Sequence, residues 1–198
     1  MKPAAKRSLS QITRGRGVGA WVGTLIGIGW LVYGLRWFPE AVRFVFGLAG
    51  LAVAIVLLVA SRRLIAAARR LPAPDAAARA ANRRIWVLFW INFAVEIALL
   101  NIAIKLLAQP ALHIYWIPAI SLVVGLHFLP MARFFGVPSF VACGAAMIGV
   151  AAAVAFVIQA GVDAPQLYVA GESLANAVIL WLTAAWGLRA ARLTLAAS

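Results

Sequence analysis

The chain has 198 residues, of which 65% are hydrophobic and 12% charged, and its formal net charge is +13. Its one cysteine, Cys143, excludes an intrachain disulfide and a cysteine-based metal cluster. The composition also excludes a water-soluble globule, because long stretches that are apolar on every side leave no polar surface for water.

Six apolar runs are each long enough to cross a hydrocarbon core ~30 Å thick as an α-helix. They lack the alternation of a β-barrel, and helices satisfy their own backbone groups in lipid. The sequence therefore predicts an all-α integral membrane bundle of six transmembrane helices within 18–188. The predicted spans are 18–38, 41–61, 85–107, 112–131, 139–160 and 167–188.

The segments outside the predicted spans are short and mostly basic. We expect an N-terminal tail over 1–17, a connecting loop over 62–84 and a C-terminal tail over 189–198. The basic N-terminus followed by an apolar run resembles a signal peptide, but the run has ~21 residues and no A-x-A site follows it. We therefore interpret it as a retained first span.

The first span carries Gly19, Gly23 and Gly27 at a spacing of four. This spacing places the three glycines on one helix face, where another backbone approaches closely. Packing against a helix of the same chain is one interpretation, and a homo-oligomer formed through this face is another. The short turn 38–40 predicts that the first two spans are antiparallel neighbours.

The next connection contains both helix-ending and helix-starting signals. Pro72 and Pro74 end the arginine-rich extension of the second span, because proline cannot continue a helix. Asp75 is a candidate N-cap for the helix that enters the third span.

The positions of the basic residues predict the orientation of the chain. If the N-terminus is cytoplasmic, fifteen of the eighteen Lys and Arg residues lie on the cytoplasmic side. Only Arg36, Arg43 and Lys105 lie outside, which is a strong positive-inside pattern. We therefore expect both termini to be cytoplasmic and expect no nucleic-acid partner, with anionic lipids as candidate contacts of Arg62–Arg84.

A few polar side chains fall inside the predicted spans, where an ionisable group costs ~2.5–3.5 kcal/mol. Such residues face the bundle interior or water and are functional candidates. The candidates are Glu96, Glu172, His127, Asn92 and Asn176. Asn101 is expected to point away from Glu96. Lys105, on the same face as Asn101, is expected to extend toward the outer surface.

A helical rise of ~1.5 Å per residue gives the depth of each candidate. From the cytoplasmic side outward, the predicted order is His127, Asn92, Glu96, Asn176 and Glu172. Burial favours the neutral form of a carboxyl group, and histidine titrates near physiological pH. Together these groups form a predicted polar seam for protons or cations, although asparagine and neutral glutamate also join helices by simple hydrogen bonds.

The sequence contains no recognisable catalytic, phosphate-binding or cofactor motif. A metal site shared by Glu96, His127 and Glu172 is disfavoured by their depth range of ~16 Å. Three classes of function stay open: a small-solute or ion transporter or channel centred on Glu96, a non-catalytic assembly or sensor protein, and a membrane-embedded lipid-modifying enzyme. We expect no catalytic residues, metal or cofactor.

The stretch from Gly125 to Phe135 contains Leu-His-Phe-Leu-Pro followed by Met-Ala-Arg-Phe-Phe. It resembles a stretch in uncharacterised small bacterial multi-span inner-membrane proteins. The resemblance implies a multi-pass protein of the bacterial inner membrane and draws attention to His127 and Arg133. It implies no particular activity.

Overall fold

The computed structural model describes residues 7–197, which form six α-helices, α1 to α6, and one short 3-10 helix. These helices are α1 (Leu9–Leu35), α2 (Glu40–Ala68), α3 (Ala76–Leu106), the 3-10 helix Pro110–Tyr115, α4 (Trp116–Phe135), α5 (Ser139–Gln159) and α6 (Pro165–Ala196). Six helical segments, the fourth comprising the 3-10 helix and α4, are long and apolar enough to cross a membrane. The predicted fold class is confirmed: this is an all-α, multi-pass membrane protein.

Four helices extend about two turns beyond the predicted spans, in each case at the end of the bundle that carries the arginines of 62–84. We call this the arginine-rich end. The start of α1 differs most from the prediction, because 9–17 belong to the helix rather than to a tail. Ser8 and Gln11 form a capping box there: the Gln11 N–H donates to Ser8 Oγ (3.3 Å) and the Ser8 N–H to Gln11 Oε1 (3.1 Å). Residues 1–6 of the predicted tail lie outside the described part of the chain.

The predicted cap of the third helix is present. The Ala78 N–H donates to Asp75 Oδ1 over 2.7 Å, and α3 begins at the next residue after Asp75. The side chain thus satisfies a backbone donor that has no partner within the helix.

The helices pack in an order that differs from their order in the chain. The first helix, α1, lies between α2 and α6, and α5 joins α6 to α4. The third helix packs mainly on α4, and Ala78 is the one buried residue among its 31. The bundle therefore consists of a well-packed body with α3 attached at its side.

The glycine face of α1 packs partly within the chain. Gly27 lies against the indole of Trp181 on α6, where a Cβ atom would overlap the ring. The Trp181 Nε1–H donates to the Thr24 carbonyl over 3.2 Å. Gly23 approaches the Leu180 carbonyl, whereas Gly19 is exposed and faces open space. Two of the three glycines thus fit the helix-packing interpretation, and a homo-oligomer stays a prediction.

Two helices of the body approach each other closely at Gly125 on α4 and Gly144 on α5. A Cβ atom added to Gly144 would lie 2.5 Å from the Gly125 carbonyl oxygen, which belongs to a rigid backbone. Small residues allow such contacts, and in lipid they are a main source of helix association.

Arg7, at the N-terminal end of the described chain, contacts the last turn of α4. Arg7 Nη2 donates to the Phe135 carbonyl over 2.5 Å, and its guanidinium lies 5.6 Å from the centre of the Phe135 ring. This bond satisfies a carbonyl in the last turn of α4, where no helical partner exists. Burial, with the nearby charge of Arg16, lowers the pKa of the Arg7 guanidinium.

We predict that Gly144→Ala destabilises the bundle by about 1–3 kcal/mol, because the new methyl group forces α4 and α5 apart. The matched control is Gly149→Ala on the same helix, where an added Cβ meets open space. The free energy of unfolding in mixed detergent micelles, followed by tryptophan fluorescence, is the measurement. Equal stability of the two variants would contradict this packing.

Candidate functional site

Two of the predicted polar residues face α4 from α3. Asn92 and Glu96 are one helical turn apart and therefore lie on the same face. They are half-buried, while most of their large apolar neighbours on α3 are exposed. The α3–α4 contact thus places an amide and a carboxyl group next to the helix that carries His127.

The side chain of His127 contacts both residues. Asn92 Nδ2 lies 2.9 Å from His127 Nδ1 and 3.0 Å from the His127 carbonyl oxygen. Glu96 Oε2 lies 3.2 Å from the same Nδ1. We call Asn92, Glu96 and His127 the histidine cluster.

In the histidine cluster, the ring nitrogen Nδ1 of His127 lies between an amide donor and a carboxyl group. A carbonyl oxygen only accepts, so the contact with the His127 carbonyl fixes the amide nitrogen of Asn92 as the atom that faces Nδ1. An unprotonated Nδ1 accepts from Asn92, whereas a protonated Nδ1 donates to a Glu96 carboxylate. The imidazole therefore has two alternative hydrogen-bonding states, and they differ by one proton on Nδ1.

Aromatic side chains surround the histidine cluster. The Phe89 ring lies 6.3 Å from the His127 ring and is stacked on Phe93. Phe135 packs edge-on against Phe89. The exposed fractions of the His127 and Glu96 side chains are only 9% and 11%. The pair is therefore shielded, although it lies at the side of the bundle.

A second group of polar side chains lies between α4 and α6. Asn176 Nδ2 donates to Ser121 Oγ over 2.6 Å, and both residues are fully buried. Glu172 lies one turn from Asn176 on α6 and is 1% exposed. Ser121 is the polar neighbour of its carboxyl group, but not at hydrogen-bonding geometry. We call Ser121, Glu172 and Asn176 the serine cluster.

The predicted polar seam is thus divided into two clusters on two faces of α4. Ser121 and His127 are six residues apart, which corresponds to ~9 Å along the helix and ~120° around it. Asn92, Glu96 and His127 are brought together, and so are Asn176 and Glu172. Within residues 7–197, no hydrogen bond described for either cluster joins it to the other.

The remaining polar residues of these helices lie elsewhere. Asn101 is exposed and donates to the Ile97 carbonyl of its own helix over 2.7 Å. Lys105 and Arg133 are also exposed. Their positions agree with surface roles rather than with membership of either cluster.

A cavity of about 320 Å³ lies at the end of the bundle opposite the arginine-rich end. Its walls come from the end of α1, the 3-10 helix, the start of α4 and the start of α6. The lining side chains include Tyr33, Arg36, Trp37, His113, Trp116 and Gln166. None of the five intramembrane candidates lines this cavity, and no group of three His, Cys, Asp or Glu comes together within residues 7–197.

No protein-family model, curated protein or solved structure matches this chain. The fold and the polar clusters define it as a multi-pass helical membrane protein with ionisable groups inside its bundle.

Sequence reasoning did not include Ser121 among the candidates. The sequence did contain a signal for Ser121, namely its depth: Ser121 lies at the middle of the fourth predicted span, which is the depth expected for Asn176. A hydroxyl group at that depth needs a partner, and the depth match identifies the amide. The pairing across helices was nevertheless hidden, because the sequence does not show which helices are neighbours.

We predict that Asn92→Ala weakens the attachment of α3 by about 1 kcal/mol, since interhelical hydrogen bonds in membranes average ~0.6 kcal/mol each and Asn92 makes two. Asn101→Ala is the matched control, because Asn101 bonds only within α3. The free energy of unfolding in bilayer-like micelles measures the difference. An equal loss in both variants would show that Asn92 does not join the helices.

Proposed function

We propose that this protein is a small transporter or channel for ions or small solutes, controlled by protonation of the histidine cluster. The observation that carries the proposal is the contact of one imidazole nitrogen with both Asn92 and Glu96 inside a membrane bundle. Intramembrane ionisable residues that contact each other are typical of proton relays and coupling sites.

The two hydrogen-bonding states of His127 change the contact between α3 and α4. Asn92 Nδ2 and Glu96 Oε2 lie 2.9 and 3.2 Å from the same Nδ1, so the exchange of partner needs only a small local movement. A proton that binds to Nδ1 shifts the preferred partner from the amide to the carboxylate. Protonation therefore replaces a neutral contact between the helices by an ionic one and is expected to change how firmly α3 is held against α4, which is how a local charge change controls a two-state element.

The packing of α3 supports such a movement. This helix contacts mainly α4 and buries one residue, Ala78. A shift of α3 disrupts few packed side chains, whereas a shift of α6, with eleven buried residues, disrupts many. Elements that move in switching proteins are drawn from such weakly packed parts of a structure.

The proposal includes the predicted orientation and membrane. All seven arginines of 62–84 are exposed at one end of the bundle. They are Arg62, Arg63, Arg69, Arg70, Arg79, Arg83 and Arg84. This end is assigned to the cytoplasmic face of a bacterial inner membrane, where positively charged connections are retained and anionic headgroups are available.

The enzyme alternative receives less support. A histidine–glutamate pair needs a nucleophile or substrate atom within hydrogen-bonding reach. Ser121 instead accepts from Asn176, and Ser173 donates to the Val169 carbonyl. Neither hydroxyl is placed at His127, so the pair is better suited to carrying a proton than to activating a serine.

The test is proton flux into proteoliposomes that contain a pH-sensitive dye, driven by a potassium gradient with valinomycin. We predict flux above that of empty liposomes, and a reduction of at least about tenfold in Glu96→Gln, because an amide does not ionise and the coupling energy of such sites is typically of this size. The control Glu40→Gln removes an exposed carboxyl group at the start of α2 and is expected to retain the wild-type rate.

Equal rates in wild type and Glu96→Gln would overturn the proposal, and so would wild-type flux no higher than that of empty liposomes. A conformational response of α3 to pH without flux would instead favour the sensor alternative. Gel filtration of each variant before reconstitution separates a loss of flux from a loss of folding.

A further inference from the structure

The serine cluster contains buried oxygen atoms that lack partners. Within the described residues, neither carboxyl oxygen of Glu172 accepts a hydrogen bond, and neither does Asn176 Oδ1. The two residues are 1% and 0% exposed. Buried polar atoms in native structures are almost always paired, so three orphaned acceptors in one place need an explanation.

Three other buried hydroxyl groups of the bundle are satisfied within their own helices. Thr24, Ser61 and Ser173 each donate to the carbonyl four residues earlier in their own helix, over 2.7, 2.7 and 2.9 Å. Such bonds satisfy a hydroxyl group inside an apolar helix without a partner from another helix. Within residues 7–197, the buried side-chain acceptors that lack a partner are thus those of Glu172 and Asn176.

An ionised Glu172 carboxylate needs a single positive partner. A carboxylate that is removed from water without a counter-charge is strongly disfavoured. No Lys or Arg forms an ion pair with Glu172 among the described residues. One positive charge balances one carboxylate, whereas a divalent ion would leave a net charge buried in the bundle.

The number of oxygen atoms favours a metal cation over a proton. A proton on Glu172 turns one oxygen into a donor for a second acceptor, and the third orphaned atom then needs the free Ser121 hydroxyl hydrogen, but Ser121 does not lie at hydrogen-bonding geometry to any of the three oxygens. A hard cation is held by several oxygen ligands at once. Two carboxyl oxygens, an amide oxygen and the Ser121 hydroxyl oxygen are available on two facing helices.

We propose that Glu172, Asn176 and Ser121 form a binding site for a monovalent cation of the sodium class, between α4 and α6. Carboxylate, amide and hydroxyl oxygens supply the ligands, and the carboxylate supplies the charge balance. This inference does not rest on the proposed function, because it concerns a different face of α4 and different side chains. It adds an ion to the protein whether or not the histidine cluster conducts protons.

The other titratable groups inside the neighbouring helices do not occupy this site. His127 and Glu96 contact each other on another face of α4. Cys143 on α5 interacts with Thr183, which lies two turns or more beyond Asn176 toward the end of α6. The cation binding proposed here therefore depends on Glu172 as the single charged group.

The experiment compares the purified protein in sodium chloride and in choline chloride at equal ionic strength and at a fixed, mildly alkaline pH. Sodium is expected to raise the midpoint of thermal unfolding, and the rise is expected to follow the logarithm of the sodium concentration once the site is saturated. Direct binding of ²²Na⁺ is expected at one ion per chain.

Three variants locate the site. Glu172→Gln is expected to reduce bound ²²Na⁺ to the level of the choline-treated background, and Ser121→Ala to weaken sodium affinity by about tenfold, the size of effect seen when a supporting ligand is removed. Glu40→Gln is the matched carboxyl control and is expected to bind sodium as the wild type does, because Glu40 is exposed at the start of α2.

Identical unfolding midpoints of the wild type in sodium and choline would overturn the proposal. So would a midpoint that changes with pH but not with sodium, which identifies a proton-only site. If Glu172→Gln does not fold, the wild-type comparison and Ser121→Ala still decide the question, since neither depends on that variant. Loss of sodium binding with intact proton flux, or the reverse, separates this site from the histidine cluster.

Discussion

Every polar group inside this bundle has to find its partner within the protein, because the surrounding hydrocarbon offers none. That constraint explains how the polar residues are arranged. Backbone groups are satisfied by the helices themselves, small hydroxyl groups bond to their own helix, and Asn92 reaches across to His127. Among the described residues, the exceptions are the two carboxyl oxygens of Glu172 and Asn176 Oδ1.

One helix, α4, carries a member of each polar cluster. It presents His127 to α3 and Ser121 to α6, so it contributes to both clusters while its Gly125 approaches α5. The tight contact with α5 holds α4 in the body of the bundle. The contact with α3 buries few side chains, so the histidine cluster lies at the weakly packed side of α4. The serine cluster lies on another face of α4, toward α6. In the proposed function, the weakly packed side is the one that responds to protonation.

The sequence predicted much of the fold, because hydrophobic length is a strong signal. All six spans were located, and the depth estimates grouped Asn92 with Glu96 and placed His127 near them. The helix ends were predicted less well: the capping box of Ser8 and Gln11 was present in the sequence, but the predicted span began only where the residues became apolar. Hydrophobicity marks the lipid-facing part of a helix, whereas capping marks its true start.

The division of the polar seam into the histidine cluster and the serine cluster could not be predicted from the sequence, for a different reason. Depth is a one-dimensional quantity, and it placed all five candidates on one path. Whether two residues at matching depths meet depends on which helices are neighbours, and the order of packing does not follow the order of the chain. The same limit hid the partner of Asn176, since a serine inside a helix is usually satisfied by a carbonyl of its own helix and so gives only a weak signal.

The proposed function depends on one step: His127 Nδ1 exchanges its hydrogen-bond partner between Asn92 and Glu96 when it gains a proton. Solid-state ¹⁵N spectroscopy of the histidine side chains in lipid bilayers, between about pH 5 and about pH 8, observes that nitrogen directly. We expect an unprotonated Nδ1 at the upper end, a protonated Nδ1 at the lower end, and a titration that moves in Glu96→Gln but not in Glu40→Gln. A His127 Nδ1 whose protonation state stays the same across this range, or whose titration is identical in the two variants, would contradict it.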